Sequence, residues 1–294
     1  MDHKLSYLTD PWNWWVTPFL DHQDLRRALA ASLLVVLATS IVGVWVVLRG
    51  MAFFGDALAH GVLPGIALAF VFGGNTTVGA AIAAVVMIGG ISVVRSHSPL
   101  PSDVSIGVLF VGMLALAVVI MSSQTGTDAE DLDRFLFGSV ATISNSDLLK
   151  QLIVAAVAVV GVIVLHRALM VLTFEEESAG LVGFHPKLTH AALLSLVALA
   201  VIASFETVGS LLVFAFLVAP PAAATLVAKR VHQIMLASVV IGGVAVVVGL
   251  AVSYHADYEP PATMALTTVV LFFVVLLAKS LVTTLRARRL EMVS

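Results

Sequence analysis

The chain of 294 residues contains no cysteine, and charged residues make up only 11% of it. A typical soluble domain carries about 25% charged residues. The absence of cysteine excludes disulfide bonds, thiolate metal sites and cysteine nucleophiles. Neither a phosphate-binding GxxxxGK[ST] loop nor an HExxH zinc motif occurs, and no basic run of the nucleic-acid-binding type is present. If ATP drives a process here, another polypeptide must hydrolyse it.

Apolar residues are abundant: they make up 60% of the chain, whose mean hydropathy is +1.07. They form repeated runs long enough to cross a bilayer as helices. The sequence therefore predicts an all-α, polytopic membrane protein of about nine transmembrane helices. The predicted spans are Ala28–Leu48, Phe53–Phe72, Val78–Val94, Val104–Met121, Leu148–Leu165, Ala191–Phe205, Val208–Ala228, Ile234–Tyr254 and Ala262–Leu285.

Three regions follow from this pattern: residues 1–25 before the spans, a transmembrane domain at 26–286, and a basic tail at 287–294. Three tryptophans among polar residues favour an interfacial position for residues 1–25; a partly ordered tail is an equal alternative. The first residues lack the basic region of a cleavable signal. Loop charges predict a cytoplasmic C-terminus and an external N-terminus, which leaves Arg26 and Arg27 on the unfavourable side.

Asp56 and His60 lie four residues apart in the second predicted span, so both side chains occupy one helix face. A carboxylate and an imidazole so placed are suited to bind one divalent cation. Ionisable groups near the bilayer centre cost at least about 2.5–3 kcal/mol each on insertion scales, so they indicate function. The alternative is an Asp–His hydrogen bond that only stabilises packing.

The surroundings favour an ion pathway. Gly55, Gly61 and Gly65 allow close backbone approach, and Pro64 interrupts the helix near His60. Broken helices at the midplane are where transporters bind cations. A carboxylate and an imidazole suit Zn²⁺, Mn²⁺ or Fe²⁺ as a transported ion, with no permanently bound cofactor.

Other polar residues carry weaker hypotheses. Glu206, between two predicted spans, is a candidate relay ligand, although a solvated helix start is the more common reading. His255 with Asp257 is a candidate metal pair at the outer mouth, and otherwise an interfacial pair. The outward-facing acidic run at residues 128–133 either concentrates cations or is a solvated loop. Residues 172–186 combine acidic and apolar residues in the amphipathic pattern of a segment that docks into a partner.

These residues resemble the permease subunits of bacterial zinc/manganese ABC importers. The stretch FFGDALAHGVLPGIALAF is similar to that family's Gly-Asp-Ala-Leu-(Ser/Ala)-His signature, and SIGVLFVGMLALAVVI, FLFGS and GSLLVFAFLVAPPAAA resemble further blocks over residues 26–280. FEEESAGLVGF resembles the family's cytosolic block. The positions that match that block are Phe174, Glu177, Ala179 and Gly183. The sequence departs from the family at Glu175-Glu176 and at the doubled Pro220-Pro221.

The resemblance implies a homodimeric permease in the bacterial plasma membrane, working with a cytoplasmic ATP-binding subunit and an extracytoplasmic metal-binding protein. Asp56 and His60 would bind the passing ion, and residues 174–186, including Glu175, would contact the ATPase. The permease itself would not be an enzyme, and no nucleic acid is an expected partner. The alternatives are a stand-alone secondary metal carrier, or a permease for chelated metal or a vitamin.

Overall fold

The computed structural model describes residues 11–98, 102–122, 143–175 and 183–291, and no strand occurs within these ranges. The predicted acidic run at 128–133 lies outside them. The helices, numbered along the chain, are α1 (Pro11–Trp15), α2 (Thr17–Asp21), α3 (Gln23–Leu48), α4 (Ala52–Gly61), α5 (Leu63–Val71), α6 (Thr76–His97), α7 (Ser102–Ser122), α8 (Asn145–Phe174), α9 (Pro186–Val227), α10 (Val231–Ala256) and α11 (Pro260–Glu291).

The polytopic helical architecture is confirmed. Within the described residues, eight helical stretches are long and apolar enough to span a membrane, and Leu212–Val227 is a shorter apolar helix. The helices extend beyond the predicted spans. The largest difference is in α8, which continues past Leu165 to Phe174, because Leu169 and Leu172 remain buried against the rest of the protein.

Gly209 divides α9 into the two spans that the sequence predicts there. Its dihedral angles, φ 76° and ψ 163°, are far from helical values, and glycine adopts such a positive φ without the steric cost that a Cβ imposes. Ser204, before Gly209, contacts Gln151 near the start of α8. Leu217, after it, meets Gly43 near the end of α3. The chain therefore turns back at Gly209.

Contacts between helix ends define two poles of the bundle. Arg49, directly after α3, contacts Leu172 near the end of α8, and we call this pole the Arg49 end. At the opposite pole, His22 before α3 contacts Tyr254 near the end of α10, and we call it the Tyr254 end. Helices α3 and α8 therefore run parallel, and α3 and α10 run antiparallel. Both directions agree with the predicted order of the spans.

The centre of the bundle is formed by α3 and α9, which pack against each other and against α8, α10 and α4. Gly43 of α3 makes the closest approach, since a Cβ there would overlap the Leu217 carbonyl of α9. Small residues permit such backbone contact in membranes, where packing replaces the hydrophobic effect as the driving force. The α4–α5 pair is therefore held between a tightly packed core and α6 and α7.

The N-terminal helices α1 and α2 attach to the Tyr254 end through aromatic and histidine contacts. The Trp14 ring stacks on His255 at 3.8 Å between centroids, and His255 Nε2 lies 3.1 Å from the Trp14 carbonyl. Arg26 Nη1 donates to the Leu20 carbonyl at 2.8 Å. The interfacial position of residues 1–25 remains a prediction, and residues 1–10 lie outside the described ranges.

The first turn of α8 is closed by a capping box. Ser144 Oγ accepts from the Asp147 backbone N–H at 3.3 Å, and the Asp147 carboxylate accepts from the Ser144 N–H at 3.2 Å. Such caps satisfy backbone donors that have no partner in the helix. We therefore expect Ser144→Ala to destabilise this turn by about 1 kcal/mol, measured as faster amide hydrogen exchange in residues 145–148 of the full chain.

Ser122→Ala is the matched control, because the Ser122 hydroxyl donates only to Val119 within its own helix. Ser122→Ala should leave amide hydrogen exchange in the first turn of α8 unchanged. Unchanged exchange in the Ser144 variant would show that this cap contributes nothing to the stability of α8.

Candidate metal site in a broken helix pair

Asp56 and His60 form a close pair on one face of α4. Asp56 Oδ1 lies 3.6 Å from His60 Nε2, and each side chain is 28% exposed. The distance is longer than a hydrogen bond, so the two side chains are not locked onto each other. Both side chains are partly exposed and lie on one helix face, the arrangement in which one cation can contact both. The pair is neither sealed in packing nor fully turned out of the protein.

Two phenylalanines line the approach to this pair. Phe110 of α7 meets the His60 ring edge-on at 5.9 Å, and Phe53 meets Phe110 at the same distance. These contacts place the imidazole against α7, with aromatic rings beside it. A cation at Asp56 and His60 would therefore have polar ligands on one side and aromatic rings on another.

The helical hydrogen-bond ladder is interrupted directly after α4, although Val62 keeps right-handed helical dihedral angles (φ −83°, ψ −14°). Helix α4 ends at Gly61 and α5 begins at Leu63, with Val62 between them. Pro64 has no N–H to donate to the carbonyl of His60, four residues earlier. The turn is held instead by the Val62 carbonyl, which accepts from Gly65 at 3.1 Å and from Ile66 at 3.2 Å. The helix interruption expected from Pro64 thus lies directly after His60.

The three glycines around the pair each face a neighbouring helix. A Cβ on Gly55 would overlap the Leu217 side chain of α9, and one on Gly61 would overlap Met87 of α6. Gly65 approaches the backbone of Gly79 on α6 more closely than any side chain would allow. Their part in an ion pathway remains a prediction, but their packing shows that α4 and α5 are positioned by backbone contact.

The described residues of one chain do not supply a complete metal site. They contain no group of three or more His, Cys, Asp or Glu side chains arranged to hold a metal. Glu206 lies in α9, three residues before Gly209. His255 stacks on Trp14, and Asp257 ends α10 with φ 61°. Among the described residues the geometry therefore offers two candidate ligands, Asp56 and His60, and a metal bound there would need further ligands.

The structure describes only part of the predicted coupling segment. Phe174 is the last residue of α8 and is exposed, Glu175 follows it as the C-cap and is also exposed, and Gly183 has φ 84°. Glu177 and Ala179 lie outside the described residues. The segment thus begins at the end of a long helix at the Arg49 end, and its role in contacting an ATPase remains a prediction.

Sequence reasoning missed two polar contacts. Arg49 Nη1 donates to the Leu172 carbonyl at 2.9 Å, whereas the sequence suggests only a flanking charge. Gln151, buried in α8, donates to Ser204 at 3.1 Å. A buried glutamine in an otherwise apolar run indicates an interhelical hydrogen bond, so the sequence carried a signal for Gln151. It carried none for the partner of Arg49.

Comparison with known proteins identifies the family to which this chain belongs. Residues 21–279 match the model of the ABC 3 transport family. The chain belongs to the ABC 3 transport family. The resemblance seen in the sequence is thereby confirmed, as is the expectation that the chain is a permease subunit and not an enzyme, with ATP hydrolysis on a separate subunit. It is a multi-pass protein of the bacterial plasma membrane.

The names of similar proteins refer to transport of manganese and of iron. The manganese transport system membrane protein MntC of Halalkalibacterium halodurans is 32% identical over 253 residues, which is 86% of each chain. The probable iron transport system membrane protein of Haemophilus influenzae is 29% identical and covers 90% of this chain and 97% of that one. A solved structure, PsaBC from Streptococcus pneumoniae in complex with Fab, matches with TM-score 0.79 and 27% identity, covering 89% of this chain and 94% of that chain.

Proposed function

We propose that the chain is the permease subunit of an ATP-driven importer of a divalent transition metal, with Mn²⁺ the first candidate and Zn²⁺ and Fe²⁺ the competitors. The observation that carries the proposal is the Asp56–His60 pair, partly exposed on one face of α4 directly before the ladder interruption at Val62. Carboxylate and imidazole ligands without a thiolate suit these ions. The names of the manganese and iron relatives support the same substrate class.

The Arg49 end is proposed to face the cytoplasm. Lys187 at the start of α9, Arg230 before α10 and the basic C-terminal tail are near helix ends that lie at this pole in the antiparallel arrangement. Basic loops are retained in the cytoplasm. Arg26 would then lie outside, where the carbonyl of Leu20 accepts a hydrogen bond from its guanidinium, which reduces the cost of that position.

A second copy of the chain is proposed to complete the ion site. Asp56 and His60 provide two ligands, whereas divalent transition metals take four or more. Two pairs facing each other across a dimer axis would supply four protein ligands. A small ligand number per chain also keeps the site weak, and a conducted ion must be released again. An extracytoplasmic metal-binding protein would deliver the ion at the Tyr254 end.

The test is uptake into proteoliposomes that contain this chain together with its ATPase subunit. The extracytoplasmic binding protein is loaded with Mn²⁺, Zn²⁺ or Fe²⁺ in turn. Uptake is measured with and without ATP on the side of the membrane that carries the ATPase subunit. We expect ATP-dependent uptake, fastest with Mn²⁺. Fastest uptake of Zn²⁺ or Fe²⁺ would overturn the choice of metal while supporting the transport class.

The same assay separates the alternatives. Metal uptake by this chain alone, driven by a proton gradient without ATP, would contradict the proposal and favour a secondary carrier. Uptake of only a chelated metal or a vitamin, unaffected by changes at Asp56 and His60, would also contradict the proposal. It would favour a permease for chelated metal or a vitamin.

A further inference from the structure

Arg49 joins the end of α8 to the turn that starts α4. Its Nη1 donates to the Leu172 carbonyl at 2.9 Å; Leu172 is buried and Arg49 is half-buried. Leu172 is in the last turn of α8, where helix carbonyls lack partners and carry partial negative charge. A guanidinium at this point both satisfies a carbonyl and complements the helix dipole. Phe174 and the predicted coupling segment follow directly.

In its own helix, Arg49 is the C-cap of α3 and forms part of a Schellman turn. The Gly50 N–H donates to the Val47 carbonyl at 3.0 Å and the Met51 N–H to the Val46 carbonyl at 2.9 Å. Gly50 takes φ 66° to allow this, which is the usual requirement at that position. The Phe54 N–H then donates to the Met51 carbonyl at 2.9 Å, so α4 begins without a flexible linker.

The connection from the end of α8 to the Asp56–His60 pair is therefore short and stiff. Asp56 lies in the second turn of α4, five residues after Met51, where the Schellman turn ends. A second contact, between the buried Trp45 of α3 and His166 of α8 at 5.6 Å, keeps the two helices in register behind Arg49. A displacement of the end of α8 would move Arg49, and through the turn it would move α4 with Asp56 and His60.

We propose that Arg49 is a positioning residue that couples movement at the cytoplasmic end of α8 to the orientation of the Asp56–His60 pair. This inference rests on the proposed function. It assigns to Arg49 a role beyond its contribution to membrane orientation: the guanidinium transmits the ATPase-driven shift to the ion site by its hydrogen bond to Leu172. Coupling through packed elements is established only by measured coupling, which sets the design of the test.

The experiment compares Arg49→Ala and Arg49→Lys in the full permease–ATPase complex in proteoliposomes, with Mn²⁺ as the probe. ATP hydrolysis and Mn²⁺ uptake are measured in the same samples. We expect Arg49→Ala to lower the number of ions transported per ATP about tenfold, with ATP hydrolysis retained. Arg49→Lys keeps the charge and one donor that can reach the Leu172 carbonyl, so it should restore most of the ratio.

A glycine pair provides the matched control. Gly73, after α5, has φ 64° and the same pair of turn hydrogen bonds, from Gly73 to Phe70 and from Gly74 to Ala69. A Cβ on Gly50 or Gly73 would meet nothing within 4 Å, so Ala at either site imposes the same backbone strain. Gly50→Ala should lower the ions transported per ATP, whereas Gly73→Ala should leave the ratio unchanged.

Three results would overturn the inference. The first is a wild-type ratio in Arg49→Ala, including the case in which uptake and hydrolysis fall in equal proportion, because Arg49 would then serve stability alone. The others are no rescue by Arg49→Lys in a complex that assembles normally, and an equal loss in the Gly50→Ala and Gly73→Ala variants. If the wild-type complex takes up no metal, the proposed function fails first and this inference fails with it.

Discussion

Replacing Asp56 by asparagine is expected to lower the initial rate of Mn²⁺ uptake by about 100-fold or more, since even changes to residues that only orient a metal's ligands cost about 10–100-fold. Asparagine keeps the shape of the side chain and one acceptor oxygen but removes the negative charge that a divalent cation requires at membrane depth. The measurement is ATP-driven uptake into proteoliposomes containing equal amounts of assembled complex. His60→Asn should reduce uptake to a similar extent, because it removes the imidazole 3.6 Å from the carboxylate.

The matched controls make the same chemical changes elsewhere. Asp24 is exposed in the first turn of α3, and His232 is exposed in the first turn of α10. Asp24→Asn and His232→Asn should transport at the wild-type rate. Wild-type uptake by both site variants would contradict an ion pathway through this pair and would leave the Asp–His packing alternative standing.

Substituting Gly65 by alanine is expected to lower the free energy of unfolding by about 1–3 kcal/mol, the usual cost of overpacking. A Cβ at Gly65 would overlap the Gly79 carbonyl and the Ala83 side chain of α6. Backbone cannot rotate out of the way as a long side chain does, so α5 and α6 must separate. Thermal unfolding of the detergent-purified protein measures the loss, and the displaced α5 should also reduce uptake.

Gly112→Ala in α7 is the control for this prediction. A Cβ there would meet nothing within 4 Å, and alanine is favoured over glycine in a helix by up to about 1 kcal/mol. The control should therefore be as stable as the wild type or more so. Equal destabilisation of the two variants would show that the close approach of Gly65 and Gly79 is not what holds α5 against α6.

Helix content and the candidate pair were predictable because they depend on local pattern. Runs of apolar residues specify membrane helices, since an unpaired backbone is too costly in lipid. The four-residue spacing puts Asp56 and His60 on one face of any helix. The interruption near Pro64 was equally local. Span ends were less predictable, as α8 shows: Leu169 and Leu172 extend the helix because of what they pack against.

Contacts between residues far apart in the chain could not be predicted from the sequence pattern. Arg49 looks like an ordinary flanking charge in the sequence, and its partner Leu172 is 123 positions away. The partner atom is a backbone carbonyl, which no side-chain motif marks. The docking of Trp14 on His255 is similar: both residues read as interfacial, and only the fold brings the first helices to the end of α10.

Spacing along the chain is enough to specify a bundle of membrane helices with a carboxylate and an imidazole on one helix face. Packing between distant segments is what positions that helix, through glycine contacts with α6 and α9 and through the hydrogen bond from Arg49 to the end of α8. Those relations are distances between segments, and they are set when helices pack against one another, after each helix has formed.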